Sequence, residues 1–319
     1  MMGSAGRILL ITGGVGGAKL SVGFSKIYES DLLSFVVNTG DDFDYMGLRI
    51  CPDIDTLLYS LSDQADQKRG WGLFDETWNC LHSLKRLGCE TWFNLGDKDL
   101  ATHLYRNYLM IRGISLSDIT LDIARQFSIK SLIMPMSNDP LQTVLHTDEG
   151  SLDFQDYFVR RGCVPVVRSV SFTNVESARP PSILLDYFSK TPPEVIILCP
   201  SNPFLSIDPI LNVPGVTQLI LDSHAPVLAV SPIVNGESLK GPTAKILTEL
   251  GMSVSAVQVA KYYQEKYPGL ISTFVVDNSD IRLTNTIQDL GLNVFVTHTI
   301  MNSEREKIEL AESLLGFCG

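Results

Sequence analysis

The sequence predicts a doubly wound α/β fold, in which a mostly parallel β-sheet carries helices on both faces. Two observations support this prediction. Short apolar runs recur between helical stretches along the 319 residues, and strands that alternate with helices pair in parallel through right-handed crossovers. Hydrophobic residues make up 45% of the chain, which is enough to bury a large core.

The predicted elements follow in chain order. Eight runs have the composition of strands: residues 7–12, 33–39, 130–136, 166–173, 194–199, 225–231, 271–277 and 293–298. Consecutive helices are predicted instead at 54–62, 75–87, 100–111 and 118–127, the last behind a capping box formed by Ser115 and Asp118. Residues 154–161 predict an amphipathic helix whose aromatic side chains belong to the core. We therefore expect one Rossmann-like domain over residues 1–319, with a helical insertion at about 53–128 over the sheet edge.

Composition excludes several classes of protein. The 36 acidic against 25 basic residues give a formal net charge of -11, which argues against nucleic acid as a partner. The six cysteines include no CxxC pair, so neither a disulfide framework nor a zinc site is predicted. No apolar run reaches the roughly 20 residues of a membrane span. We expect a cytoplasmic enzyme without a membrane partner, and a homodimer because two-fold dimers are the commonest assemblies.

Phosphate binding is predicted at the turn after the first strand. That turn contains Gly13, Gly14, Gly16, Gly17 and Lys19. A strand, a glycine-rich turn and a helix start expose backbone N–H groups at the positive end of a helix dipole. The turn matches neither the dinucleotide-binding motif nor the P-loop, because Lys19 replaces the third glycine and Leu20 replaces Ser or Thr. The alternative is a tight turn that only packs the strand against the helix.

Four aspartates follow the second predicted strand: Asp41, Asp42, Asp53 and Asp55. Carboxylates near a phosphate repel it unless a divalent cation such as Mg2+ lies between them. The glycine turn and the aspartates together predict an enzyme that acts on phosphate esters. Asp53 has a structural alternative, since it can cap the helix expected from Ile54 onward.

Three further pairs of polar residues lie near predicted strand ends or helix starts. They are Asp97 with His103, Ser201 with Asn202, and Lys240 with Gly241. We interpret the first pair as substrate-binding, the second as contacting a nucleotide base or phosphate, and the third as a second phosphate contact. Helix capping for the first pair and a rigid proline turn for the second are the structural alternatives.

In chain order, these blocks resemble the CofD-like family, the 2-phospho-L-lactate transferases of deazaflavin coenzyme F-420 biosynthesis. The resemblance covers nearly the whole chain and includes Gly13–Leu20, Cys51–Thr56, Leu95–His103, Thr147–Gly150, Pro200–Pro203, Ser206–Ile210 and Ala229–Ile233. It implies transfer of a phospholactyl or phosphoenolpyruvyl group from a guanosine diphosphate ester to the ribityl hydroxyl of the deazaflavin FO. GMP would be the leaving group.

The resemblance also implies roles for the candidate residues. Mg2+ would be held by Asp41, Asp42, Asp53 and Asp55, with Asp42 and Asp55 catalytic. FO would contact Asp55, Asn94, Asp97 and His103. The glycine turn with Lys19 would hold the donor phosphates, and the guanosine side would be held by Ser201, Asn202, Lys240 and Gly241.

Three positions depart from the family's pattern, and one of them is Asn138, which stands where many relatives carry aspartate. Lys98 stands where many relatives carry arginine and cannot form the bidentate arginine fork, and Asn94 occupies a position that is basic in some relatives. The alternative function is a regulatory nucleotide-sugar-binding protein of the related gluconeogenesis-factor type. The segment Phe43–Gly47, in place of the glycine- and serine-rich loop of those proteins, favours the transferase.

Overall fold

The computed structural model describes residues 6–318 and contains fourteen strands within that range. The strands are β1 (Ile8–Thr12), β2 (Leu33–Val37), β3 (Phe43–Tyr45), β4 (Leu48–Ile50), β5 (Leu132–Pro135), β6 (Gln142–Thr147), β7 (Gly150–Asp153), β8 (Val167–Thr173), β9 (Val195–Leu198), β10 (Val227–Val230), β11 (Ile233–Val234), β12 (Glu237–Ser238), β13 (Thr273–Asp277) and β14 (Asn293–Thr297).

Twelve α-helices accompany these strands between residues 6 and 318. The helices are α1 (Gly14–Ile27), α2 (Pro52–Leu61), α3 (Asn79–Arg86), α4 (Asp97–Ile111), α5 (Leu116–Gln126), α6 (Ser182–Lys190), α7 (Asp208–Asn212), α8 (Val216–Asp222), α9 (Thr243–Glu249), α10 (Ala256–Lys266), α11 (Thr284–Gln288) and α12 (Glu304–Cys318). Single turns of π-helix lie at Asp156–Arg160 and Pro203–Ile207.

Seven parallel strands form the central sheet, in the order β14-β13-β10-β9-β1-β2-β5. Each is one of the strands predicted from apolar runs, so the doubly wound α/β class is confirmed. In β1, all five residues are buried, and its side chains alternate between two cores: Leu9 faces one and Leu10 the other. A continuous apolar run is what a parallel strand covered on both faces requires.

The strand order reverses between β1 and β9. From β1 the chain builds the sheet outward through β2 and β5, and from β9 it builds in the other direction through β10, β13 and β14. The helices that follow β1 and β9 therefore pack on opposite faces of the sheet, α1 in one core and α7 and α8 in the other, and a crevice opens at this point. In open α/β sheets, such a crevice at the carboxyl ends of the strands is where ligands bind.

The eighth predicted strand, residues 166–173, forms β8 but not as part of the parallel sheet. It pairs antiparallel with β6, and β6 pairs antiparallel with β7 across the turn at Asp148 and Glu149. The prediction of a parallel strand is wrong because most of β8 is exposed or only partly buried, as befits a sheet with one solvated face.

The four helices expected between residues 53 and 128 are present as α2 to α5, together with a hairpin, β3-β4, that the sequence did not predict. The capping box is confirmed, since Ser115 Oγ accepts from the backbone N–H of Asp118 at 3.2 Å. The predicted start of α3 at Asp75 is wrong, because Asp75 adopts φ 54° and a left-handed residue cannot continue an α-helix.

Residues 154–161 form only a short turn that ends in π-helix. Tyr157 is fully buried, as expected of a core aromatic. Phe154 and Phe158 instead stack on each other with ring centroids 5.3 Å apart, and both line a cavity. The prediction that the aromatic side chains of this segment belong to the core is therefore correct for Tyr157 and in part for Phe154, which packs partly buried against the core, but wrong for Phe158, which is 39% exposed.

Helix α12 packs directly against α1. A Cβ atom built on Gly23 would lie 2.1 Å from the carbonyl oxygen of Lys307, so only glycine permits this approach.

Over residues 6–318, no single helix has the length and hydropathy of a membrane span. The helices Pro203–Asn212 and Val216–Asp222, which meet at a bend, have that length and hydropathy only when they are taken together.

Candidate active site

A cavity of about 650 Å3 opens at the carboxyl edge of the central sheet. The loops that follow β1, β2, β9, β10 and β14 all contribute to its lining. This is the edge at which the crevice between β1 and β9 lies. Eight of the nine residues that we predicted to contact the donor line the cavity: Gly13, Gly14, Gly16, Lys19, Ser201, Asn202, Lys240 and Gly241.

The glycine turn is shaped by close backbone approach. Gly14 adopts φ 65°, a left-handed conformation that favours glycine. A Cβ on Gly16 would lie 2.4 Å from the carbonyl oxygen of Pro200, so the loops after β1 and β9 touch. Gly17 is the exception among the predicted contacts: it lies behind the cavity lining, where a Cβ would meet Thr12 Oγ1 at 2.0 Å. Its role is packing, as in the structural alternative.

The loop after β9 is fastened to the glycine turn. Ser201 Oγ donates to the carbonyl oxygen of Gly13 at 2.7 Å. Asn202 Oδ1 accepts from the backbone N–H groups of Phe204 and Leu205, whereas its Nδ2 is buried without a hydrogen-bond partner among the described residues. An amide N–H2 group held in this way is ready to donate to a ligand.

Asp41 and Asp53 line the cavity, and we call them the cavity-facing pair. Asp53 accepts from the backbone N–H of Gly14 at 2.7 Å and from Asn38 Nδ2 at 2.9 Å, yet burial raises its pKa to about 6. Asp41 Oδ1 is buried and has no hydrogen-bond partner within residues 6–318. Burial and the neighbouring charge of Asp53 raise the pKa of Asp41 well above its ordinary value. Two buried carboxylates without a neutralising base suit a divalent cation.

Asp42 and Asp55 lie outside the cavity lining, and we call them the arginine-facing pair. Asp55 accepts from both terminal nitrogens of Arg106, with Nη1 and Oδ2 3.1 Å apart, and Arg106 is only 1% exposed. Asp42 Oδ2 lies 3.9 Å from Arg49 Nε, and burial raises the pKa of Asp42 to about 7. The structure thus does not bring the four aspartates together, and no three His, Cys, Asp or Glu side chains of the described residues converge on one ion position.

The predicted acceptor contacts are also separated. Asn94 lines the cavity. Asp97 lies on the surface, where it accepts from Thr77 Oγ1 and from the backbone N–H groups that begin α3, at Asn79 and Cys80. The Thr77 hydroxyl and these N–H donors lower the pKa of Asp97 to about 2. This is the helix-capping alternative, and Asp97 does not line the cavity.

His103 is buried behind the site, with 1% of its surface exposed. Its Nε2 lies 3.1 Å from Asp99 Oδ1, and its Nδ1 lies 3.0 Å from Arg106 Nη1. Tyr59 donates to the same Asp99 oxygen at 2.6 Å. His103 therefore belongs to the polar network around Arg106 and does not contact the cavity.

Sequence reasoning missed an aromatic wall on the cavity, formed by Trp71, Phe93, Phe154 and Phe158. Trp71 is 42% exposed and stands between Gly70 and Gly72, both in the left-handed region. The guanidinium of Arg69 lies 5.2 Å from the Trp71 ring centroid, an arrangement that favours a cation–π contact. A tryptophan between two glycines was the sequence feature that marked this wall.

Fold and site together define an α/β protein with a glycine turn and a cavity where the order of a parallel sheet reverses, an arrangement that suits a phosphate-bearing ligand. The chain belongs to the CofD family, since the family model described as 2-phospho-L-lactate transferase CofD matches residues 8–312. The resemblance noted from the order of the motifs is therefore confirmed, and the family is one of transferases of phosphorus-containing groups.

Similar proteins bear two activity names. The chain is 38% identical to the 2-phospho-L-lactate transferase of Methanosarcina mazei, over 96% of this chain and 98% of that protein. It is 33% identical to the phosphoenolpyruvate transferase of Kitasatospora aureofaciens, over 97% of each. A crystal structure of a UPF0052-family protein from Bacillus halodurans shares the fold, with a TM-score of 0.65 and 13% identity over 98% of this chain and 100% of that one.

Proposed function

We propose that the protein transfers a 2-phospho-L-lactyl or phosphoenolpyruvyl group from a guanosine-diphosphate-linked donor to the ribityl hydroxyl of FO, releasing GMP, in coenzyme F-420 biosynthesis. The observation that carries this proposal is that one cavity of about 650 Å3 is lined both by the glycine turn with Lys19 and Lys240 and by four aromatic side chains. The family match favours this transferase over the regulatory nucleotide-sugar-binding alternative.

The donor lies at the glycine turn in this proposal. The N-terminus of α1 and the ammonium groups of Lys19 and Lys240 attract the diphosphate. The unpartnered Nδ2 of Asn202 donates to the guanosine part of the donor. Ser201 acts indirectly, because its hydroxyl holds the backbone of Gly13 in place.

The acceptor lies against the aromatic wall. A planar deazaflavin ring stacks favourably on aromatic side chains such as Phe154 and Phe158. The amide of Asn94, on the same side of the cavity as Phe93, supplies polar contacts to the ring or its side chain. This placement directs the ribityl chain toward the glycine turn, where the hydroxyl meets the donor phosphorus.

Mg2+ fits the cavity-facing pair, because Asp41 Oδ1 lacks any partner within the described residues and both carboxylates are buried. Asp41 and Asp53 would hold the ion together with donor phosphate oxygens, and the ion would neutralise charge on the transferring group. Asp42 and Asp55 act from behind in this proposal: with Arg49 and Arg106 they support the loop that carries Asp41.

The reaction is an in-line displacement. The ribityl oxygen forms a bond to the phosphorus that bears the three-carbon acid, the bond from that phosphorus to GMP breaks, and the hydroxyl proton is released. The protein contributes alignment through the glycine turn and the aromatic wall, since positioning and charge stabilisation provide most of phosphoryl-transfer catalysis.

The test incubates the purified protein with FO, Mg2+ and guanylated phospholactate or guanylated phosphoenolpyruvate. Chromatography follows GMP and the new acidic deazaflavin. We expect equal amounts of the two products, and no GMP when FO is omitted. Absence of both FO binding and GMP release with either donor would contradict the proposal and favour the regulatory alternative.

A further inference from the structure

A second cavity of about 290 Å3 adjoins the first, and we call it the side chamber. It lies between the first turns of α1, helix α2, the segment 65–72 and helix α12. The two cavities share a wall formed by Val15, Lys19, Thr56, Gly70, Trp71, Lys240 and Asn302. The side chamber is therefore adjacent to the part of the first cavity that the glycine turn lines.

Three lysines line the side chamber: Lys19, Lys240 and Lys307. None of their ammonium groups forms an ion pair with a residue between 6 and 318, and the only hydrogen bond among them joins Lys19 Nζ to the carbonyl oxygen of Met301 at 2.7 Å. Burial and the charges of Lys240 and Lys307 lower the pKa of Lys19. Converging cations without a counterion are costly to bury unless a ligand neutralises them.

Three acids around the side chamber have partners of their own, whereas Glu304 is an acidic neighbour of Lys307 but forms no ion pair with a residue between 6 and 318. Asp66, which lines the chamber, forms a 3.0 Å ion pair with Arg69. Asp63, one of the acids nearest to Lys307, is bridged at 3.0 Å by Lys26. Glu306 accepts from the backbone N–H groups of Asn302 and Ser303. The excess of positive charge thus faces the chamber.

Lys307 is the member of this set that no motif indicated. It lies in α12, where its main-chain contact with Gly23 fixes its distance from α1. Lys307 is 9% exposed, so its side chain is largely shielded from solvent. A buried lysine directed into a polar chamber is a specific anion contact.

We propose that the side chamber binds the carboxylate of the three-carbon acid carried by the donor, with Lys307 as its specific contact. This inference rests on the proposed function. In such a donor the acid is esterified to the phosphate that the acceptor attacks, so its carboxylate lies only a few bonds from the phosphorus. The glycine turn borders both cavities, which places that phosphate at the entrance of the chamber.

The test compares three ligands by calorimetry: GDP, guanylated phospholactate and the same donor with its carboxylate converted to a carboxamide. We expect the wild type to prefer the carboxylate over the carboxamide roughly tenfold, since a charge-assisted contact is worth about that factor. Lys307→Gln is expected to abolish the preference without weakening GDP binding. Lys307→Arg is expected to retain much of it.

Lys26→Gln is the matched control, because Lys26 lies near Lys307 but pairs with Asp63 and does not line the chamber. It is expected to keep the carboxylate preference. Lys307→Gln removes a buried charge without an ionic partner, so folding is expected to persist, and thermal unfolding checks this.

Four outcomes would overturn the proposal in distinguishable ways. Equal binding of carboxylate and carboxamide by a wild type that binds GDP would remove the subsite and leave the transferase intact. An equal loss of GDP and donor affinity in Lys307→Gln would assign Lys307 to the diphosphate. A third outcome is that the wild type binds inorganic phosphate together with GDP, and that Lys307→Gln abolishes this phosphate binding but keeps the carboxylate preference. The chamber would then be a site for free anions. A wild type that binds neither GDP nor donor would end the proposed function as well.

Discussion

The cavity-facing pair, Asp41 and Asp53, and the arginine-facing pair, Asp42 and Asp55, differ in whether the protein neutralises them. Asp55 is held by the buried guanidinium of Arg106, and the partly buried guanidinium of Arg49 lies 3.9 Å from Asp42, whose carboxylate oxygens form no hydrogen bond with a described residue. Asp53 accepts hydrogen bonds from an amide and a backbone N–H, and neither member of the cavity-facing pair forms an ion pair with a residue between 6 and 318. Buried carboxylates with a protein counterion stabilise the architecture, whereas those without one are available to a ligand.

The largest expected effect comes from breaking the arginine-facing pair. Arg106→Gln leaves Asp55 buried without its counterion, so we expect the free energy of unfolding to fall by about 3–5 kcal/mol. Denaturant unfolding measures this change. The double variant Arg106→Met with Asp55→Leu is expected to recover most of the stability. A single variant as stable as the wild type would show that the pair is not structural.

Asp41→Asn tests the cavity-facing pair in the opposite sense. The variant removes a buried charge that no residue between 6 and 318 neutralises, so the free energy of unfolding is expected to stay the same or rise. Turnover is expected to fall roughly 100-fold, because a cation ligand is lost. Thermal unfolding and the GMP-release assay give the two values. Mg2+ stabilisation of the wild type in thermal unfolding is expected to disappear in this variant. Turnover near the wild-type rate would remove Asp41 from the site.

The pH dependence of Asp42 sharpens the comparison further. Because burial raises its folded pKa to about 7, the folded state favours the protonated form. Protonated Asp42 therefore contributes to the free energy of unfolding. This contribution is fully present below the unfolded pKa of 3.8 and is lost as the pH rises toward 7. Asp42→Asn avoids this loss, so its stability relative to the wild type is expected to grow by about 2 kcal/mol between roughly pH 5 and pH 7. A difference between the two proteins that stays constant with pH would contradict the assignment.

The smallest effect is expected at the aromatic wall. Phe158→Ala removes one stacking surface, and we expect the KM for FO to rise about fivefold, which corresponds to roughly 1 kcal/mol. The affinity for GDP is expected to stay unchanged. Phe317→Ala is the control, because Phe317 is similarly exposed but lies outside the cavity. An equal change in both variants would argue against stacking of the acceptor on Phe158.

Strand-to-turn patterns predicted the fold, and they predicted residues of the glycine turn that line the cavity, because both depend on local sequence. An apolar run followed by glycines specifies a buried strand and a tight turn wherever it occurs. The direction of each aspartate side chain was not predictable in this way. Asp41 and Asp42 are adjacent, yet one lines the cavity and the other does not. This difference in direction depends on the path of the loop and on Arg49 and Arg106. No local sequence pattern shows that these two arginines lie next to the aspartates.

Other errors have the same origin. β8 has the composition of a strand, but whether it joins the parallel sheet depends on the β6-β7 hairpin next to it. Asp97 has the spacing of a substrate residue, but its position against the start of α3, 18 residues earlier in the chain, makes it a cap. Both outcomes are set by tertiary contacts that the local pattern leaves open.

The hydrogen bond between Ser201 and Gly13 joins positions 188 residues apart. Contacts of such sequence separation form late, because a long loop must close before they contribute. The glycine turn is therefore not an autonomous motif: its final shape arises only when β9 has paired with β1. During refolding, we expect nucleotide binding to appear no earlier than the burial of β1 between both neighbours, which makes it a reporter of completed sheet assembly.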